Sequence, residues 1–220
     1  MSSSPTLSTP SSTSSTSSAS SIPLFIRRPS KYLSNIERHA SPAAPPVDWL
    51  ARTWSVTHST LDMWRSARNV RITYSQLPSK NNRSRLDDLV EYESNKTAAS
   101  HPVKNVMGVD TVSSEDASSW TWRGRGLLFF VTSHWEILAW GENVLPSGEV
   151  ECWTVTWFAP TLFTKEGIDI YCSRPEGLSE DMYSQILAGL KRMEGKQVPK
   201  LVSEQMSPVE IRLPWSESDL

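Results

Sequence analysis

Cysteine is scarce: the 220-residue chain holds 2, Cys152 and Cys172, too few for a disulfide framework. With only 4 histidines and no clustered spacing, the sequence also shows no metal site. Glycine is sparse as well, at 9, and none of it builds a phosphate-cradling loop, a nucleotide fingerprint or a Gly-x-Ser-x-Gly elbow. Redox and hydrolytic chemistry therefore have no visible equipment, and nothing asks for a cofactor. An excess of one charge is missing too. The formal net charge is −2, and the scatter of Lys and Arg along the chain argues against a nucleic-acid footprint. No apolar run reaches spanning length, and the one at residues 22–26 lacks the preceding basic region of a secretory signal.

What is present is uneven. Residues 2–21 are almost entirely Ser and Thr, too poor in apolar surface to offset the entropy of ordering, so residues 1–46 are expected to be a disordered tail. No acidic residue precedes Glu37, whereas Arg27, Arg28, Lys31 and Arg38 do occur, a pattern that leaves a transit-peptide reading open beside plain disorder. The expected compartment is accordingly intracellular, cytoplasmic with mitochondrial as the rival.

Beyond residue 46 the chain is rich in tryptophan: of 10 in all, only Trp215 lies outside the stretch from Trp49 to Trp157. Alternating apolar and polar positions predict strands at residues 52–59, 69–77 (ended by Pro78), 85–94, 104–112, 120–131, 133–141, 149–159 and 167–173. Short strands with turn signals at this spacing imply an all-β barrel or sandwich, and closure removes the exposed edges. The period then changes. Met182, Ile186, Leu187, Leu190 and Met193 recur at helical spacing, Ser179 stands at the capping position, and acids lead while Lys191 and Arg192 follow. The expected organisation is a barrel with one outer helix over residues 47–196, then an extended arm over residues 197–220 interrupted by Pro199, Pro208 and Pro214.

Eight up-and-down strands followed by one helix resemble the lipocalins of the calycin superfamily. Arg52-Thr53-Trp54 is similar to that family's Gly-x-Trp signature with Arg52 replacing glycine, and residues 170–175 resemble its last strand and arginine. The resemblance implies that Trp54 plugs the closed end of the barrel. It also implies that Arg174 stacks across that indole, a cation–π pairing usually worth about 0.5 to 2 kcal/mol.

With Trp54 at the closed end, strand direction sorts the remaining candidates. His58, in phase with Trp54 and Val56, is expected to point inward near the mouth, and residues 59–67 to cross it as a lid carrying Leu61, Met63 and Trp64. Tyr74 is expected deeper on the inner wall, Trp120 or Trp122 on the inner face of strand five, and Trp157 level with the mouth. Along residues 134–137 the alternation admits two arrangements. His134 and Glu136 face inward as a proton-transferring pair, or Trp135 and Ile137 do. Arg123 and Arg125 share a face with Gly124 and Gly126 at the other phase. That face is solvent, or it recognises a carboxylate.

Each residue also has a plainer role: a buried histidine is usually a satisfied core residue, and single indoles usually fill core. Together the tryptophans exceed what one barrel floor needs. The expected function is binding of an apolar, aromatic, polyketide-like or terpenoid-like molecule by Met63, Trp64, Trp122, Trp135 and Trp157. One alternative is a cofactor-free cyclase or isomerase using His58, Tyr74, His134 and Glu136. The other is an interaction protein with a packed barrel.

Overall fold

The computed structural model describes residues 24–34, 43–95, 102–162 and 164–216. The strands are β1 (Thr53–Ser59), β2 (Ala67–Lys80), β3 (Arg83–Ser94), β4 (Lys104–Val112), β5 (Ser119–Gly124), β6 (Thr132–Val144), β7 (Val150–Phe158) and β8 (Gly167–Cys172). Each pairs antiparallel with the next, and β1 pairs with both β8 and β2, so the sheet closes into an eight-stranded up-and-down barrel. Helices α1 (Val47–Leu50), α2 (Glu180–Arg192) and α3 (Gln197–Gln205) flank it, and a two-residue strand, β9 (Ser207–Pro208), pairs with β1.

Closure divides the apolar residues into two cores. Trp54, Val56, Val70, Ile72, Tyr74, Leu86, Trp120, Trp135, Ile137 and Tyr171 meet inside the barrel. Leu138, Trp153, Val155, Trp157, Ile168 and Ile170 face outward, where Met182, Ile186 and Leu190 of α2 and Val198 and Val202 of α3 cover them. Strand β8 is consequently buried at every position, which is why its sequence alternates little.

Three departures from the sequence reading have local causes. β2 continues through Pro78 to Lys80 because the register with β3 slips between Leu77 and Lys80, leaving the proline in an irregularity where no ladder bond is asked of it. The fifth strand stops at Gly124, and residues 126–128 form a 3₁₀ turn entered through Gly126 at φ +57°. Part of the expected arm is helical: Pro199 falls in the first turn of α3, where backbone N–H groups have no intrahelical partner to lose.

At the closed end, Trp54 donates its indole N–H to the Leu50 carbonyl at 2.9 Å, and its ring lies 5.1 Å from Trp49, which in turn lies 5.0 Å from Trp140. The cation over this cluster is Arg52, 5.1 Å from the Trp49 ring and 5.4 Å from Trp54. The structure thus corrects the expected partner. Arg174 turns instead to Glu149 at 3.1 Å, with Glu151 and Glu176 each at 3.7 Å, because carboxylates outbid an indole face for a guanidinium. Ser179 likewise does not cap α2; its backbone N–H and hydroxyl both donate to Glu151, each at 2.7 Å.

Residues 24–34, which the sequence reading assigned to the tail, form a strap on the outer wall; residues 1–23 and 35–42 lie outside the described set. Arg27 is the fastening. Its Nε donates to the Ile137 carbonyl at 2.7 Å, and its two terminal nitrogens reach Asp116 and Glu136 at 2.9 Å each. Glu136, fully buried, also accepts from the backbone N–H and hydroxyl of Ser30. Removing one partner of a buried pair strands the other, so Arg27→Ala is expected to cost about 3 kcal/mol or more in urea denaturation. Lys31→Ala, at the exposed pair with Glu166, is expected to cost less than about 1 kcal/mol by the same measurement.

Candidate functional site in the barrel interior

The inward phase of the strands carries more than apolar side chains. Register sets Tyr74 of β2 opposite Asp88 of β3, Asp88 opposite Gly108 of β4, and Asp110 of β4 opposite Trp122 of β5. Asp88 belongs to the run Leu86, Asp88, Val90, Tyr92, and Asp169 shares its face of β8 with Tyr171. The result is an acid and tyrosine cluster within the aromatic core. Asp88, Asp110 and Asp169 are buried, as are Tyr74 and Tyr171.

Aromatic rings form the wall beside it. Trp135 lies nearly parallel to Tyr74 (centroids 6.0 Å apart, planes 8° apart) and to Trp120 (5.7 Å, 12°). Its indole N–H donates to Asp110 Oδ1 at 2.7 Å. The Trp122 ring lies over Gly108: a Cβ there would sit 2.1 Å from the indole nitrogen, so only glycine fits. At the mouth, Trp64 of the 62–66 turn is buried edge-on to Tyr92 at 5.4 Å, and Leu61 packs against Gly167, which leaves no room there for a side chain. The lid is therefore closed down.

Burial governs the charge state of the acids. It pushes Asp110 up to about 7, against hydrogen bonds from Trp135 and Asp88 that pull the other way. It pushes Asp169 up to about 7 as well, although the Ser59 hydroxyl donates to that carboxylate. Asp88 is raised well above the usual carboxylate range, by burial first and by the neighbouring Asp110 charge second. Asp88 Oδ1 and Asp110 Oδ2 receive no donor from the protein while the two carboxyls contact each other, an arrangement that a shared proton satisfies. The Trp120 indole N–H also closes no hydrogen bond, while the Tyr171 hydroxyl faces Thr156 and the Trp64 N–H faces Asp169 without either completing one.

The sequence candidates fall on both sides of the wall. Tyr74, Trp64, Trp122 and Trp135 line the interior with Trp54 below them. Met63 is 43% exposed on the lid. His58, expected inside, lies outside: a bulge between Val56 and His58 breaks the alternation, and the ring stacks on Tyr183 of α2 at 3.6 Å. Burial there lowers it to about 4. Along β6, Trp135 and Ile137 take the inner phase. His134 and Glu136 pair at 3.1 Å beneath the strap, where burial would raise Glu136 but His134, Ser30 and Arg27 hold it low. Trp157 also faces out, donating to Glu166 at 2.7 Å beside Tyr32. Among the described residues, no three His, Cys, Asp or Glu side chains converge as metal ligands.

Asp88, Asp110, Asp169 and Tyr171 were not singled out by the sequence reading. A signal existed for one of them: Asp88 is a carboxylate in phase with Val90 and Tyr92 on a strand whose other face is charged except at Leu89. Asp169, between two isoleucines, carried none.

Comparison with known proteins supports the architecture. No protein-family model matches the sequence. No curated protein matches it. Among solved structures, apocrustacyanin C1 is similar with a TM-score of 0.51 and 10% identity, over 87% of this chain and 93% of that one. Lobster apocrustacyanin A1 gives 0.49 and 9%, over 88% and 94%. A siderocalin described as having dual ligand specificities gives 0.42 and 9%, over 77% and 95%. The fold is lipocalin-like.

An acid raised from about 4 in the unfolded chain to about 7 in the folded one keeps its proton only in the native state across that window. The unfolded state then binds fewer protons, so the acid's contribution to stability falls as pH rises from about 4 to about 7 and is fully unfavourable above. Asp110→Asn and Asp169→Asn should therefore gain stability relative to wild type on going from about pH 5 to about pH 8. Parallel urea titrations measure this difference, and contributions from His58 and Glu136 cancel in it.

Proposed function

We propose that this lipocalin-like barrel binds a small, flat, largely apolar molecule in its interior, laid against the aromatic wall and hydrogen-bonded by the acid cluster. One observation carries the reading: a wall of near-parallel rings stands beside inward polar atoms that lack protein partners. Buried polar groups are normally satisfied, and unpaired ones inside a barrel mark where a guest or water completes the bonding. The donors and acceptors on offer, an indole N–H, a phenol and a proton-sharing carboxyl pair, suit a ligand with a carbonyl, hydroxyl or amine group on an aromatic or polyene body. Entry requires the lid at residues 59–67 to lift, carrying Trp64 with it.

The acid pair also favours a second reading, a cofactor-free isomerase or cyclase. A protonated Asp88–Asp110 pair would place a proton on a substrate double bond, the indole faces would stabilise the resulting cation, and loss of a neighbouring proton to the carboxylate would restore the pair. The step is balanced without an oxidant or a metal. It assigns acid–base work to Asp88 and Asp110 in place of His58, His134 and Glu136.

Titration with N-phenyl-1-naphthylamine, a neutral aromatic probe, is expected to quench tryptophan emission saturably at one site. Trp135→Ala should weaken that binding by about tenfold or more, given the ring surface lost, while His58→Ala should leave it within about twofold. A wild-type protein whose emission ignores the probe and a panel of similar molecules would mean that the barrel is solidly packed.

A further inference from the structure

The mouth end of the barrel is apolar on its outside. In an up-and-down barrel the β1–β2, β5–β6 and β7–β8 connections share one end, and here each exposes an apolar side chain: Met63, the group Leu127, Phe129 and Phe130, and Leu162. Leu127 is 92% exposed, Phe129 63%, Phe130 60% and Leu162 93%, where an isolated fold would tuck such groups away. The β5–β6 loop is the projecting one. Its 3₁₀ turn holds Leu127 outward, and the Phe129 and Phe130 rings meet edge to face at 5.6 Å, presenting a preformed apolar tip.

A basic cleft begins at the foot of the same loop and runs along the outer wall of β3–β5 to the β2–β3 turn. Lys80, Arg83, Arg85, Arg123 and Arg125 line it, and no carboxylate does. Arg125 pairs with Asp87 at 2.6 Å and Arg123 donates to the Phe129 carbonyl at 3.1 Å, which ties the cleft to the apolar tip. Among the described residues, the side chains of Lys80, Arg83 and Arg85 have no hydrogen-bond or ion-pair partner. The chain as a whole is weakly acidic, at −2, so this concentration of cations is local.

From this juxtaposition we propose that the side of the barrel bearing the β5–β6 loop and the β3–β5 wall docks on an anionic lipid bilayer, with Leu127, Phe129 and Phe130 entering the headgroup–acyl boundary and the basic cleft beside them binding lipid phosphates. Apolar side chains beside unpaired cations are what a lipid surface rewards, because burial of the rings and attraction to the headgroups act together. A nucleic acid would use the cations and leave the phenylalanines in water. Among the described residues no helix is long and apolar enough to cross a membrane, so the attachment is peripheral.

Co-sedimentation of the full chain with vesicles tests the proposal. Binding is expected to vesicles in which about a third of the lipid is phosphatidylserine, to be absent with phosphatidylcholine alone, and to be released by salt. Arg83→Gln/Arg85→Gln leaves the Arg123 bond intact and should weaken binding about 25-fold, about fivefold per charge. Phe129→Ser/Phe130→Ser should weaken it by more than about tenfold. Both pairs are surface changes, and unaltered tryptophan emission and circular dichroism will confirm that the variants fold. Three results would each overturn the proposal: no sedimentation of wild type at low salt; phenylalanine variants that bind vesicles like wild type while a DNA duplex competes; or a phenylalanine effect confined to self-association in light scattering.

Discussion

Closure of the sheet through β1, which pairs with β8 on one side and β2 on the other, is the constraint from which the rest follows. A closed sheet has an inside and an outside, and a strand's period of two assigns every side chain to one of them. The interior then collects Trp54, Tyr74, Trp120 and Trp135, and the outer wall of β6 to β8 is left with an apolar face that α2, α3 and the strap must cover. One closure thus creates two cores. The second explains why so short a domain carries so many tryptophans without all of them facing the barrel interior.

Inside, two physical demands oppose each other. Burial of Asp88, Asp110 and Asp169 is costly for the charged form, so the acids are pushed toward neutrality, and the contact between Asp88 and Asp110 is one that a shared proton would satisfy. A neutral carboxylic acid is a donor as well as an acceptor. It can satisfy a polar neighbour without placing a bare charge in the core, and on the proposed binding reading that would join the aromatic wall and the acid cluster into a single site. The buried Arg27–Glu136 pair on the outer wall follows the other solution, in which opposite charges and several hydrogen bonds keep the carboxylate ionised.

How legible this was depended on the environment of each strand. β3, whose outer face is largely charged, displayed its alternation, and Asp88 stood visibly in the inner phase. β8, covered on both faces, displayed none, and Asp169 passed unnoticed between Ile168 and Ile170. His58 was misplaced by a bulge, since one extra residue reverses every later assignment on the strand. The pair at His134 and Glu136 was recognised as sharing a face, but its side of the wall was set by Arg27, more than a hundred residues away in sequence.

The sequence by itself determined the barrel, the order of its strands and the outer helix α2, because periods of two and near 3.6 are local properties carried by neighbouring residues. Only the tertiary structure decided that Arg52 and not Arg174 covers Trp54, that residues 24–34 strap the wall, and that Asp88, Asp110 and Asp169 meet within one cluster. Those outcomes are competitions among partners distant in the chain, settled by distance, burial and charge once the sheet has closed.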